Sequence, residues 1–455
     1  MKKFLVLLFT IIFLLCGCES NVIVEDLAKT PELFTPAQTQ PKVKKIFDFS
    51  SNPVANSTFV LLEDGSVWYW GMRYKPEGKI TKTISTFESG TFAEKEVTYN
   101  DVASVQLPQK LEFDGVELKN NVKDIVNCAF ATFVLLKNGD LYSFGANTVA
   151  GILGDGTFEN RATPKKILSG VSQIKCNLTS SALSYPLKHF PEYQQAKQQG
   201  TLTPLEEHKY GSGYSMYALK ENGELYSWGY NFTGELYNGT REDSAFPIKI
   251  LDNVKALHGD KQKIPFVAEM FDGTLLLSFQ SGNDEANSAL TLKSAFKAKA
   301  EILTAYDVWR NGKNFISVLY KNGELWHYNR NGQGSLFEKD VKEFNGSEFL
   351  KTDGTLYKYK SIDEAIKTDS NVKTFKDGTA IIYNDNSIYI SDLNGNKYRY
   401  ENVSYATSNY HISNQTGYLY ARGDCQFTSL GIELNPDEKF IEMPVQVLFP
   451  AGWNK

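Results

Sequence analysis

Residues able to do chemistry are few and scattered in this chain. The five histidines, His189, His208, His258, His327 and His411, fall in separate stretches with no metal-ligand spacing, and His327 lies in a run that reads as strand. No Gly-x-Ser-x-Gly elbow, His-Glu-x-x-His helix or phosphate-binding glycine loop occurs. The glycine-rich segment Gly151 to Gly156 follows a hairpin pattern instead of opening a helix, so it reads as a loop. Asp392, Asn394 and Asn396 alternate like the start of a calcium loop, but Lys397 stands where glycine is needed and Val403 where glutamate is needed. The pair Glu206 and Glu207 has no partner for acid/base work. The expectation is a protein without catalytic residues, metal or cofactor.

Cysteine chemistry is the exception. Lys2 and Lys3, then an apolar run from Phe4 to Leu15, then Cys16-Gly17-Cys18, have the layout of an export signal, and the run is too short for a comfortable membrane span. Leu15-Cys16-Gly17-Cys18 looks like a lipobox, which predicts cleavage after residue 17 and acylation of Cys18. Chains of ~14 to 18 carbons at ~0.8 kcal/mol per buried methylene suffice to hold a body at a bilayer. Residues 18–42, rich in Thr, Pro, Glu and Ala without periodicity, read as a tether. Cys128, Cys176 and Cys425 then remain, an odd number. An oxidising envelope allows a Cys128 to Cys176 bridge, but the reading favoured here is buried free thiols.

Loss of Lys2 and Lys3 takes the formal charge from −5 to −7. A body this acidic predicts no footing for nucleic acid or anionic lipid.

The elements that hold these residues come from a repeat. TFVLLEDGSVWYWG from Thr58, TFVLLKNGDLYSFG from Thr132, MYALKENGELYSWG from Met216 and ISVLYKNGELWHYN from Ile316 share one pattern, with weaker copies from Phe266, Ser347, Thr379 and Tyr410. Each reads as two strands around a two-residue Asp-Gly or Asn-Gly turn of type I′, with Asn386 in the glycine's place in one copy. An aliphatic residue such as Val67 or Leu141 and then an aromatic one such as Trp68 or Tyr142 follow the turn, so both strand faces are apolar, as a sheet between sheets demands. A Val-x-x-apolar strand precedes each unit, as at Val43, Val122 and Val254, and a proline-led strand follows at Pro108, Pro164, Pro247 and Pro444. Four short antiparallel strands per repeat make a propeller blade. The fold class is therefore all-β: one propeller of seven or eight antiparallel blades over residues 43–455, closed by pairing of its N- and C-terminal strands.

FGANTVAGILGDG from Phe144 and WGYNFTGELYNGT from Trp228 resemble the Trp-Gly-x-Asn-x-x-Gly-x-Leu-Gly segment of the regulator of chromosome condensation repeat family. The likeness covers most of 43–450 and thins after about Leu336, where units shorten to about 31 residues. The family usually has seven blades, and its members include exchange factors for small GTPases, light receptors and a secreted β-lactamase inhibitor. The resemblance thus implies protein binding; GTPase exchange does not suit an exported chain.

Two loop insertions, about 72–107 and 177–214, break the repeat. In a simple meander both leave by the rim opposite the Asp-Gly turns, together with the Asn147 to Arg161 loop. This rim is the expected partner surface, with Tyr74, Phe87, Phe92, Asn147, Arg161, Tyr185, Phe190, Tyr193 and Tyr210 as its candidate residues. Residues 191–200 read as a short helix ended by Gly200. The function expected is a lipid-anchored, non-catalytic binding protein of the outer membrane or cell surface, monomeric in its body, with an envelope protein as partner. The alternatives are a carbohydrate-binding or carbohydrate-active propeller and a structural subunit of an envelope complex.

Overall fold

The computed structural model describes residues 40–450 except 48–56, 89–90, 129–130, 148–149, 180–212, 232–233, 260–265, 280–290, 311–312, 330, 362, 377–379, 392–396, 408, 425–429, 431 and 433–439. The signal, Cys18, the tether up to residue 39, the calcium-like segment and Cys425 lie outside these. Every regular element among the described residues is a β-strand. Seven four-stranded antiparallel sheets follow one another in chain order, and an eighth unit at 372–400 is split into two two-stranded sheets. Counted along the chain, the units span 43–110, 122–168, 171–251, 254–297, 302–338, 341–369, 372–400 and 403–446. The β-propeller fold class is observed.

The strands of each unit pair in sequence order, so first and fourth strands are the sheet edges. First strands meet their counterparts in the next unit: Lys45 lies 3.8 Å from Asp124, the Leu257 amide donates to Gln173 Oε1 at 2.9 Å, and Thr374 donates to Glu343 at 2.8 Å. They therefore line the central axis, while fourth strands such as Arg161–Leu168 form the half-exposed outer edge. Pro108, Pro164, Pro247 and Pro444 all lie in fourth strands, where a missing N–H interrupts no interior ladder.

Eight apolar clusters hold the ring, one at each joint between consecutive units and one between the last unit and the first. The aliphatic and aromatic residues after each turn fill opposite joints: Leu141 faces the next unit through the cluster of Val126, Phe133 and Trp228, and Tyr142 packs on the previous one beside Phe113. A backbone bond repeats with them. The turn carbonyl of one unit accepts from the start of the next first strand, as in Val171 N to Gly139 O at 2.9 Å and Val254 N to Gly223 O at 3.0 Å.

Closure uses the same joint. Val43 N donates to Gly417 O at 2.9 Å, Thr58 and Trp70 both donate to the Tyr410 hydroxyl at 3.0 and 2.9 Å, and Phe449 N donates to Gln40 Oε1 at 3.0 Å. The expected pairing of terminal strands is not found, since Val43–Phe47 pairs only with Ser57–Leu62 and Phe440–Gln446 only with Leu419–Asp424. Each unit already owns four consecutive strands. The first strand is innermost and the last outermost, so they cannot be neighbours in one sheet.

Two further expectations are corrected. The turns are not two-residue type I′ loops: Gly65 N donates to Leu62 O, Leu62 N donates to Ser66 O, and only the glycine has positive φ (85°). This is a three-residue loop, a type I turn followed by a left-handed glycine bulge, fixed by Asp64 Oδ1 accepting from Ser66 N at 2.9 Å. Cys128 and Cys176 are not free thiols. They form a disulfide with Cα atoms 6.0 Å apart, tying the first strands of the second and third units within their shared apolar cluster.

Candidate interaction rim

Within a meander, the connections from first to second and from third to fourth strand emerge on the rim opposite the glycine turns. In the first three units this rim carries the chain's largest departures from the repeat.

The first departure is a strand pair instead of the expected loop. Strands Val67–Glu88 and Thr91–Lys110 stay in antiparallel register from Trp68↔Lys110 to Glu88↔Thr91, with shifts at Tyr69/Gly71 and at Tyr74/Lys79. At about 3.3 Å per residue the stretch from Lys79 to Glu88 alone projects about 30 Å. The sequence signal was present but unused: KITKTISTF and TFAEKEVTY are rich in β-branched and aromatic residues around Ser89-Gly90. Tyr74 pairs with Val102 at the base of this arm, and Phe87 with Phe92 next to its tip. Ile80, Lys82 and Ile84 alternate with Thr81, Thr83 and Ser85, and their register partners are Tyr99, Val97 and Lys95 against Thr98, Glu96 and Glu94. One face of the arm is thus richer in apolar residue types than the other.

The second is the loop from Asn147 to Arg161, whose two named residues serve the loop itself. Asn147 Oδ1 accepts from Leu153 N at 3.0 Å and its Nδ2 donates to Thr157 O at 2.7 Å. Arg161 grips Asp155 through Nε at 2.9 Å and Nη2 at 2.8 Å. Burial pushes the Asp155 carboxyl up, but hydrogen bonds from Thr157 and Arg161 outweigh it and hold the group below its ordinary range. The third unit repeats the device: Asn231 Oδ1 accepts from Leu236 N at 2.8 Å, and Ser143 and Ser227 donate to Leu153 O and Leu236 O. A Cβ on Gly154 would lie 2.6 Å from Trp228 Nε1, and that nitrogen donates to Ile152 O at 2.7 Å, so the glycines here allow close packing on the third unit. Both Asn147 and Arg161 are accordingly engaged within the loop. Phe158 and Phe246 are 61% and 62% exposed on this loop and on the neighbouring edge strand.

The third departure begins at Thr179 and ends at Gly213. Tyr185, Phe190, Tyr193, Tyr210, Glu206, Glu207 and the expected helix at 191–200 lie outside the described residues.

His189 and His208 lie outside the described residues, and His258, His327 and His411 fall in three different units. His258 Nε2 lies 2.8 Å from Glu269, which also accepts from Lys255 at 2.7 Å. His327 is a strand residue 2.7 Å from the Tyr359 hydroxyl. His411 is buried against Tyr420, and burial together with the nearby Arg422 charge pulls its pKa down to about 3.

No protein-family model matches the chain. Among solved structures, it is similar to human WBSCR16 at 14% identity and TM-score 0.39, over 91% of this chain and 84% of that one. Yeast RCC1 (Prp20), solved bound to Kap60, is 17% identical at TM-score 0.38 over 90% and 76% of the two chains. The computationally designed Ika8 protein is 12% identical at TM-score 0.36 over 84% and 96%. The strand register defines the propeller independently of these likenesses.

Proposed function

We propose that this chain is an exported, lipid-anchored envelope protein that binds another protein through the rim of its first three units and carries out no catalysis. The observation that carries this reading is the arm. A two-stranded ribbon is marginal in water by itself, and one with a face richer in apolar residue types gains most by being covered. Phe158 and Phe246 add two exposed aromatic rings on the same rim. The Cys128–Cys176 disulfide supports export, because such bonds persist outside reducing compartments. The signal and lipobox-like pattern supply the anchor at Cys18, with the outer membrane or cell surface as the place of action.

The test is crosslinking in intact cells and capture of the tagged protein, comparing the wild type with a chain in which residues 75–101 are replaced by a short turn. One envelope protein captured by the wild type and lost with the arm is the expected result. Equal capture by both chains overturns the assignment.

A further inference from the structure

Every first strand departs from its ladder at the same place. In the first unit Val43 pairs with Leu62 and Lys45 with Leu61, leaving Lys44 unpaired in the ladder as a bulge. The second strand register skips Lys123, Ser172, Lys255, Leu303, Lys342, Lys373 and Ser404 in the same way. Five of these eight bulge residues are lysine and none is acidic, in a chain with 53 acidic and 48 basic residues. A bulge re-aims a side chain out of the pleat.

The position of the bulge is fixed by the joints. It lies one residue after the valine or isoleucine that opens each first strand, so the eight residues ring one mouth of the channel, on the rim of the glycine turns and opposite the arm. Lys44, Lys123, Lys255 and Lys373 are exposed. Lys342 reaches the Lys373 carbonyl at 2.7 Å, Lys373 reaches Asn386 Oδ1 at 2.7 Å, and Lys255 pairs with Glu269. The side chains of Lys44 and Lys123 make no hydrogen bond or ion pair among the described residues. The carboxylates of the turns, such as Asp64, Asp272, Asp353 and Asp385, sit further from the axis and accept from their own turn amides.

We propose that this lysine ring binds a ligand carrying several phosphate groups, laid across the channel mouth. Phosphate suits the ring better than carboxylate does: lysine acts as a compact point charge, and a phosphate offers it up to two charges per group where a carboxylate offers one. Net charge alone conceals the site, because the chain as a whole has 53 acidic against 48 basic residues. The site stands apart from the protein-binding rim and does not rest on it.

The test measures binding of fluorescent short-chain inorganic polyphosphate to the full-length chain in detergent at low ionic strength. K44Q/K123Q/K373Q is compared with K110Q/K297Q/K360Q, which removes equal charge elsewhere. Bulge residues make no ladder pair, so glutamine there leaves the sheets intact. The ring variant should bind at least tenfold more weakly and show a salt slope shallower by about 2, while the control stays near wild type. Equal loss in both variants, displacement by polyglutamate as effective as by polyphosphate, or no binding by wild type overturns the proposal.

Discussion

Breaking the Cys128–Cys176 bond is the perturbation with the most calculable outcome. The bond closes a segment of 48 residues that includes the second, third and fourth strands of the second unit. In the chain-entropy treatment a closed loop of that length removes about 14 cal/mol/K from the unfolded ensemble, which is about 4 kcal/mol at 25 °C. A body of roughly 400 residues at about 2.1 cal/mol/K each has an unfolding entropy of about 0.8 kcal/mol/K, so the melting temperature should fall by about 5 °C. Melting should be followed by circular dichroism with and without reductant, for the wild type and for C128A/C176A. Reductant should lower the wild type by that amount and leave the variant unmoved. The variant should melt lower still, because both sulfurs are buried and their removal leaves a void. Coincident wild-type melts within about 1 °C, or alkylation of both thiols in unreduced protein, would refute the reasoning.

Other consequences can be checked alongside. Asn231→Ala should cost about 2–4 kcal/mol in denaturant melts, because it strands the buried Leu236 amide and several carbonyls, whereas Phe158→Ala should leave stability within about 0.5 kcal/mol. His411 has a folded pKa of about 3 against 6.5 when unfolded, so between those values the unfolded chain binds the extra proton and stability falls as pH falls. His411→Phe should remove a slope of about 1.4 kcal/mol per pH unit in that window, read from melts between pH 6.5 and 4. Glu269 is held below its ordinary range because hydrogen bonds from His258 and Lys255 outweigh its burial, so its contribution is present above pH 4.5 and lost on acidification; Glu269→Gln should flatten that limb.

The propeller was legible because its signals are local. A turn glycine and an aliphatic then an aromatic residue recur in nearly every copy and mark a hairpin with two apolar faces, although the glycine serves a three-residue loop and not the two-residue one. What depended on distant partners was less legible. Closure was misread because the order Pro strand then Val strand is the same whether the units divide before or after the Val strand; only the register decides. Cys128 and Cys176 face each other across a joint, and nothing in their spacing distinguishes that from two buried thiols. Asn147 and Arg161 have the polarity of a binding site and the partners of a loop staple. The lysine ring escaped notice because each bulge contributes one ordinary surface residue, and only the radial arrangement gathers them.

Joining the ring by packing instead of a strand clasp determines how it carries force. Seven joints lie between units that are consecutive along the chain, so a pull is resisted there by covalent bonds as well as packing. At the joint of first and last units the load rests on Val43 N to Gly417 O, the Tyr410 hydroxyl shared by Thr58 and Trp70, the Gln40 side chain and the aromatic contacts of Phe449. Tension applied upstream of Gln40 therefore arrives at the one seam that can part without unfolding a strand. A molecule tethered at that end would open there first, with its innermost strand leading.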